Sequence, residues 1–109
     1  MVMNRAKIAE EFFEDLKKLE GDNISLASLY GSVAEGTDNE DSDIDILIVV
    51  SKNKKDADNR AHGLVVKYLK GSGELISPII LSESEFQRNR ALGTPYIKNV
   101  LAGRLLHGA

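Results

Sequence analysis

Residues 29–50 read LYGSVAEGTDNEDSDIDILIVV, and this stretch decides the fold of the chain. It places a short glycine-containing turn after one apolar run and an acidic loop before a second, β-branched run. Because β-branched residues favour strands, the pattern predicts strands over residues 24–30 and 43–50. The loop between them is predicted to contain one helical turn around Val33 and Ala34. Polar side chains therefore stand at the ends of two successive strands.

Apolar residues at helical spacing, together with capping and turn residues, predict the remaining elements. Ser82 to Glu85 match a capping box, and Thr94-Pro95 match an N-cap followed by a first-turn proline. Proline cannot donate to a strand ladder, so the strand that contains Pro78 is expected at a sheet edge or with a bulge. The further predicted elements are helices over residues 1–19, 56–70, 83–92 and 95–102 and strands over 75–81 and 104–107. Their order predicts an α/β two-layer sandwich, with one domain spanning residues 1–109.

The composition excludes several classes of protein. The 109 residues include no Cys, which excludes a disulfide scaffold, a Cys-ligated zinc site and a thiol nucleophile. The apolar runs are too short to cross a bilayer, and the N-terminal residues show no signal-peptide pattern. A net charge of −3 argues against a broad nucleic-acid-binding surface. We therefore expect a cytoplasmic protein without membrane attachment.

Six acidic residues and no basic residue lie between residues 35 and 45. Four of them are interpreted as a solvated acidic loop: Glu35, Asp38, Glu40 and Asp41. Asp43 and Asp45 differ, because alternate side chains of a strand share one face. Two like charges ~4 Å apart would repel by up to about 4 kcal/mol at an effective dielectric near 20. A divalent cation, Mg²⁺ or Mn²⁺, prefers oxygen ligands and would relieve this repulsion.

Gly31 and Ser32 follow the first of the two strands. Glycine lets the backbone approach a ligand closely, and backbone amides at a helical start favour phosphate. A Gly-Ser pair alone arises by chance in most proteins, but here ten residues separate it from the acid pair Asp43 and Asp45. This combination is rare, and it indicates a site for a phosphate-bearing ligand and a metal.

The residues LYGSVAEGT (29–37) and SDIDILIV (42–49) resemble the signature of the DNA polymerase β-like nucleotidyltransferase superfamily. The small size of the chain resembles the minimal nucleotidyltransferase group within it. The resemblance implies an α+β, nucleotidyltransferase-like two-layer sandwich, with a mixed β-sheet and helices packed mainly on one face. It also implies transfer of NMP, expected to be AMP from ATP, to an unidentified acceptor at a site with two Mg²⁺ (or Mn²⁺) ions.

The same resemblance implies a role for each signature residue. Gly31 and Ser32 would hold the β- and γ-phosphates of the nucleotide, and Asp43 and Asp45 would coordinate the metal ions as catalytic residues. Minimal members of the superfamily are often encoded beside a helical HEPN partner as antitoxins. The resemblance therefore implies a HEPN-type protein partner and a protein acceptor in a toxin–antitoxin pair. A homo-oligomer is left open.

One position departs from the superfamily pattern. A third carboxylate usually comes from a later strand, but the corresponding strand reads LISPIIL over residues 75–81, with Ser77 at the acidic position. Glu74 is a candidate third metal ligand, although in a regular strand a residue three positions away faces the other side. The alternative function is therefore a catalytically weak or inactive module that binds a nucleotide, a metal or a partner.

Overall fold

The computed structural model describes residues 4–39 and 41–108, and it contains helices interspersed with strands. Glu40, one of the acids predicted for the solvated loop, lies outside the described residues. The helices are α1 (Arg5–Glu20), α2 (Gly31–Glu35), α3 (Lys54–Ser72), α4 (Glu83–Leu92) and α5 (Pro95–Leu101). The strands are β1 (Ile24–Tyr30), β2 (Ile44–Val50), β3 (Ile76–Ser82) and β4 (Arg104–His107). Within these ranges, none of the helices is long and apolar enough to cross a membrane.

The strands form a mixed sheet in the order β3-β2-β1-β4. β1 pairs antiparallel with both β2 and β4, whereas β2 pairs parallel with β3. Parallel neighbours need a crossover connection, and α3 provides it. Pro78 lies on the edge strand β3, as its missing N–H predicts, and the register between β2 and β3 is continuous along the whole pair.

Side chains alternate along β2 between two apolar cores. The even-numbered residues from Ile44 to Val50 face the larger core, which α1 and α3 complete. Leu47 and Val49 face a smaller core, to which α4 and α5 contribute Phe86 and Ile97. The two longest helices therefore cover one face of the sheet, as expected, and α4 and α5 add a partial layer on the other. Any side chain on β2 that shares the face of Leu47 lies on the side of the smaller core.

The interior position of β2 makes it a rigid support. Ile44, Ile46, Leu47 and Ile48 are all completely buried. Burying one such side chain stabilises the fold by roughly 1.5–3 kcal/mol, so a shift of this strand would be costly. Polar groups at its start are consequently held in a fixed position relative to β1 and β3.

Capping residues set several helix ends as predicted. Ser82 and Glu85 form the expected capping box of α4, and the Thr94 side chain accepts from the Ile97 backbone N–H at the start of α5. The start of α3 is different, since the helix begins at Lys54, two residues before the predicted boundary. Asn53, a residue type that favours the N-cap position, precedes it but forms no side-chain capping bond.

Candidate active site

Asp43 and Asp45 lie at the start of β2, on the sheet face of the smaller core. Asp43 is exposed and directly precedes the strand, while Asp45 is half-buried within it. Burial, and then the charge of Asp43, raise the pKa of Asp45 above its usual range. In the described part of the chain, neither carboxylate forms a salt bridge. The two acids are therefore a like-charged pair that a bound cation would stabilise.

Gly31 begins α2 directly beside Asp45. The preceding residue, Tyr30, is the register partner of Asp45 in the antiparallel pair of β1 and β2. Gly31 has a φ of +78°, and a Cβ atom at this position would lie 2.5 Å from Oδ2 of Asp45. The φ favours glycine, because L side chains rarely adopt it, and a Cβ atom here would force the Asp45 carboxylate to move. The structure thus brings Gly31 and Asp45 together, with the half-buried Ser32 next in the first turn of α2.

Ser77 lies beside both acids. It is the residue of β3 in register with Asp45, and its hydroxyl donates to Oδ2 of Asp43 at 3.2 Å. This is the position expected for the third carboxylate, and a neutral hydroxyl is a weaker partner for a hard cation than a carboxylate is. Among residues 4–39 and 41–108, no group of three or more acidic or histidine side chains could hold a metal ion.

Glu74, the other candidate third ligand, is engaged with Arg5. Its carboxylate accepts from Nε of Arg5 at 2.8 Å, on the side of the sheet that α1 covers. Arg5 also donates to Oδ2 of Asp38 at 2.8 Å. The interpretation of Asp38 as a solvated loop residue is therefore wrong, because a guanidinium from a distant helix binds it. The structure brings Glu74 together with Arg5 and not with the acid pair.

Two tyrosines border the site on its apolar side, and the sequence indicated no functional role for either. The rings of Tyr30 and Tyr96 pack edge to face with their centroids 5.9 Å apart. Burial raises the pKa of both phenols, the neighbouring Tyr30 raises the pKa of Tyr96 further, and the charge of Asp45 makes a smaller contribution to both. The hydroxyl of Tyr96 is buried and has no hydrogen-bond partner within the described residues. The sequence signal for Tyr96 is its helical spacing with Ile97, Val100 and Leu101, which predicts a core position or part of an oligomer face.

Comparison with known proteins is consistent with this geometry. A family model described as a nucleotidyltransferase domain matches residues 9–104. A relative from Methanocaldococcus jannaschii, named as a protein adenylyltransferase, is 36% identical over 106 residues. That match covers 96% of this chain and 100% of the relative.

Two solved structures show the same fold. A crystal structure of a toxin–antitoxin with AMP-PNP has a TM-score of 0.57 and 22% identity, covering 92% of this chain and 73% of that one. A complex of a tri-AMPylated Shewanella oneidensis HEPN toxin with an MNT antitoxin has a TM-score of 0.51 and 19% identity, covering 98% of this chain and 74% of that one. Identities this low establish the fold alone, whereas the family model spans most of the chain. The chain therefore belongs to the nucleotidyltransferase domain family.

Proposed function

We propose that this chain transfers AMP from ATP to a protein acceptor, with Mg²⁺ held by Asp43 and Asp45. The observation that carries the proposal is the pair of carboxylates of Asp43 and Asp45, the second of which lies against Gly31. In the described part of the chain, neither carboxylate forms a salt bridge with a basic side chain. Nucleotidyl transfer depends on positioning and charge neutralisation more than on a nucleophilic side chain. Carboxylates and a closely approaching backbone are the groups that this chemistry needs.

The residues at the site fit a hard divalent cation. Carboxylate oxygens suit Mg²⁺ or Mn²⁺, and the raised pKa of Asp45 reflects a negative charge that burial and Asp43 disfavour. When bound, the metal supplies charge stabilisation to the triphosphate. Gly31 and Ser32 would bind the β- and γ-phosphates through the backbone amides that begin α2, and Ser77 would orient the carboxylate of Asp43.

We further propose a HEPN-type protein as the acceptor and partner. The full-length relative is named as a protein adenylyltransferase, and one structure of the same fold is a complex with a tri-AMPylated HEPN toxin. In this proposal the acceptor itself, or a second copy of the chain, provides the selectivity. A cytoplasmic location stays a prediction from the sequence.

The environment of Ser77 favours a second candidate function. Ser77, in register with Asp45, stands where the resemblance to the superfamily implies a third carboxylate, and Glu74 is bound to Arg5. A metal ion that activates the acceptor would then be held by fewer charged ligands than usual. In this case the chain would be a module that binds the nucleotide with its metal but does not turn it over.

Labelled ATP separates these possibilities. The chain is incubated with Mg²⁺, ATP labelled at its α-phosphate, and a HEPN-type protein encoded next to its gene. We expect label on the acceptor, lost in Asp45→Asn and retained in Asp41→Asn, whose exposed side chain lies in the preceding loop. Metal-dependent binding of AMP-PNP without transfer would favour the second candidate. Absence of AMP-PNP binding in the presence of Mg²⁺ would contradict both.

A further inference from the structure

We propose that Arg5 is a positioning residue for the acid pair, because it fastens the two segments that lead into β2 and β3. The inference rests on the proposed function, since the groups that Arg5 would position are those assigned to the metal and the nucleotide. Arg5 lies in the first turn of α1, far in sequence from the signature residues 29–37 and 42–49.

The guanidinium of Arg5 binds two carboxylates and a backbone carbonyl. Nε donates to Glu74 and Nη1 donates to Asp38, each at 2.8 Å, and Nη1 also donates to the carbonyl oxygen of Asn39. The exposed fraction of the side chain is 12% for Arg5, 17% for Glu74 and 26% for Asp38. Solvent therefore screens these ion pairs less than it screens pairs on an open surface.

The position of Arg5 is unfavourable for the helix in which it lies. The helix dipole favours acidic residues in the first turn, and the first turn of α1 contains none. The N-terminus of α1 is capped by Asn4, whose side chain accepts from the backbone N–H of Lys7. Arg5 opposes the helix dipole and does not cap the helix. We therefore infer that it stabilises the fold through its tertiary contacts.

The first segment that Arg5 fastens is the loop before Asp43. Asn39 organises this loop through three hydrogen bonds. Its backbone N–H donates to the Ser42 hydroxyl, and its backbone carbonyl accepts from the Ser42 N–H, each at 3.0 Å. Its side-chain oxygen accepts from the Asp41 backbone N–H at 2.9 Å. Arg5 donates to this same carbonyl and so anchors the turn to α1. Asp43 directly follows the turn, so the position of its carboxylate depends on it.

The second segment is the connection from α3 to β3, which Arg5 holds through Glu74. The next residue, Leu75, accepts at its carbonyl from the backbone N–H of Ile44 at 3.0 Å. Ile44 separates the two acids in sequence, and the strand that starts after Leu75 carries Ser77. One guanidinium thus connects the starts of both strands on which the site is built.

Loss of the guanidinium would leave two partly buried carboxylates without a counter-ion. Asp38 and Glu74 would then repel each other, and the loop before Asp43 would lose its anchor to α1. Removing an outer partner that orients metal ligands typically weakens metal affinity 10- to 100-fold. We expect Arg5→Gln to weaken the Mn²⁺-dependent binding of AMP-PNP by about tenfold.

The test is a titration of the full chain with AMP-PNP and Mn²⁺, below the melting temperature of each variant. Arg60→Gln is the control, because Arg60 also binds a carboxylate of α1, that of Glu20, but at the opposite end of the helix. We expect Arg60→Gln to bind like the wild type. Arg5→Lys should bind with intermediate affinity, since an ammonium keeps the charge but cannot form the same forked contacts. If Arg5→Gln does not fold, the difference between Arg5→Lys and Arg60→Lys decides the question.

Equal affinities of the Arg5 and Arg60 variants would overturn the positioning role while leaving the proposed function intact. A wild-type chain that does not bind AMP-PNP with Mn²⁺ would overturn both. A double-mutant cycle tests whether Glu74 acts through Arg5 or binds the metal independently. If Glu74 acts only through Arg5, the Arg5→Gln/Glu74→Gln double variant should bind no more weakly than Arg5→Gln. If the losses of AMP-PNP affinity in the two single variants multiply in the double variant, Glu74 is an independent metal ligand and the inference is contradicted.

Discussion

Replacement of Gly31 by Ala should separate the stability of the fold from the geometry of the site. Gly31 has a φ of +78°, and an added Cβ atom would lie 2.5 Å from Oδ2 of Asp45. An L side chain in the left-handed region costs about 1–2 kcal/mol. The close contact itself can be relieved, because the carboxylate is the end of a side chain and can rotate away. That rotation costs little stability, but it removes a proposed metal ligand from its position.

Gly36→Ala is a matched control for the free-energy cost of an L side chain at a positive φ. Gly36 has a φ of +75°, and a Cβ atom there would meet nothing within 4 Å. Both variants are therefore expected to lose about 1–2 kcal/mol of unfolding free energy, which corresponds to a decrease in Tm of roughly 4–15 °C. Displacing a reacting group by ~1 Å costs about 100-fold in rate. We expect Gly31→Ala to transfer AMP about 100-fold more slowly, and Gly36→Ala to retain near-normal activity.

Thermal unfolding followed by circular dichroism measures the first quantity. The initial rate of transfer from ATP labelled at its α-phosphate measures the second, at saturating Mg²⁺ and below both melting temperatures. Equal rates for the two variants would refute the claim that Gly31 makes room for a functional carboxylate. A Tm for Gly31→Ala far below that of Gly36→Ala would show instead that Asp45 cannot move aside.

Three further substitutions test the charges around the site and the fold. Ser77→Asp should strengthen Mn²⁺ binding by about tenfold, because it adds a third carboxylate in register with Asp45. Calorimetric titration with Mn²⁺ checks this affinity, with Ser77→Asn as the control, and an affinity equal to that of the wild type would contradict the prediction. Asp45→Asn should leave the metal-free protein as stable as the wild type, or more stable, at pH 7. Folding raises the pKa of Asp45, so the metal-free wild type should lose stability as the pH rises just above the usual carboxyl range, and the variant should not. A variant less stable than the wild type at pH 7 would show that the pair of acids is structural. Lys54, and then the backbone at the start of α4, lower the pKa of Glu85 from 4.5 to about 2. The stability that Glu85 contributes should therefore be present above pH 4.5 and lost as the pH falls towards 2, and parallel pH-melting curves for wild type and Glu85→Gln would disprove this.

Local signals were sufficient to predict most elements of the fold. The β-branched run of β2 and the capping box of α4 each favour the structure that the tertiary packing also requires, so sequence and fold agree there. The predicted start of α3 was two residues too late: the helix begins after Asn53, which precedes the first apolar residue on the helical face, Ala57. The resemblance to the superfamily predicts Ser77 at the acidic position, and in the sheet Ser77 lies in register with Asp45.

The contacts of Arg5 could not be predicted in this way. Its partners Asp38 and Glu74 lie 33 and 69 residues away in sequence, and no periodicity or motif connects them. The pairing arises because the first turn of α1 lies beside the segments that precede β2 and β3, which is a property of the assembled fold. The same is true of Tyr96, which reaches Tyr30 only when α5 packs on β1.

The position of the label in ATP tests the central claim most directly. The wild-type chain is incubated with Mg²⁺ and a HEPN-type acceptor, using ATP labelled at either the α- or the γ-phosphate, and Asp45→Asn is run in parallel. Nucleotidyl transfer predicts that the α-label appears on the acceptor, the γ-label leaves in pyrophosphate, and both signals disappear in Asp45→Asn. Label from the γ-phosphate on the acceptor, or undiminished transfer by Asp45→Asn, would contradict it.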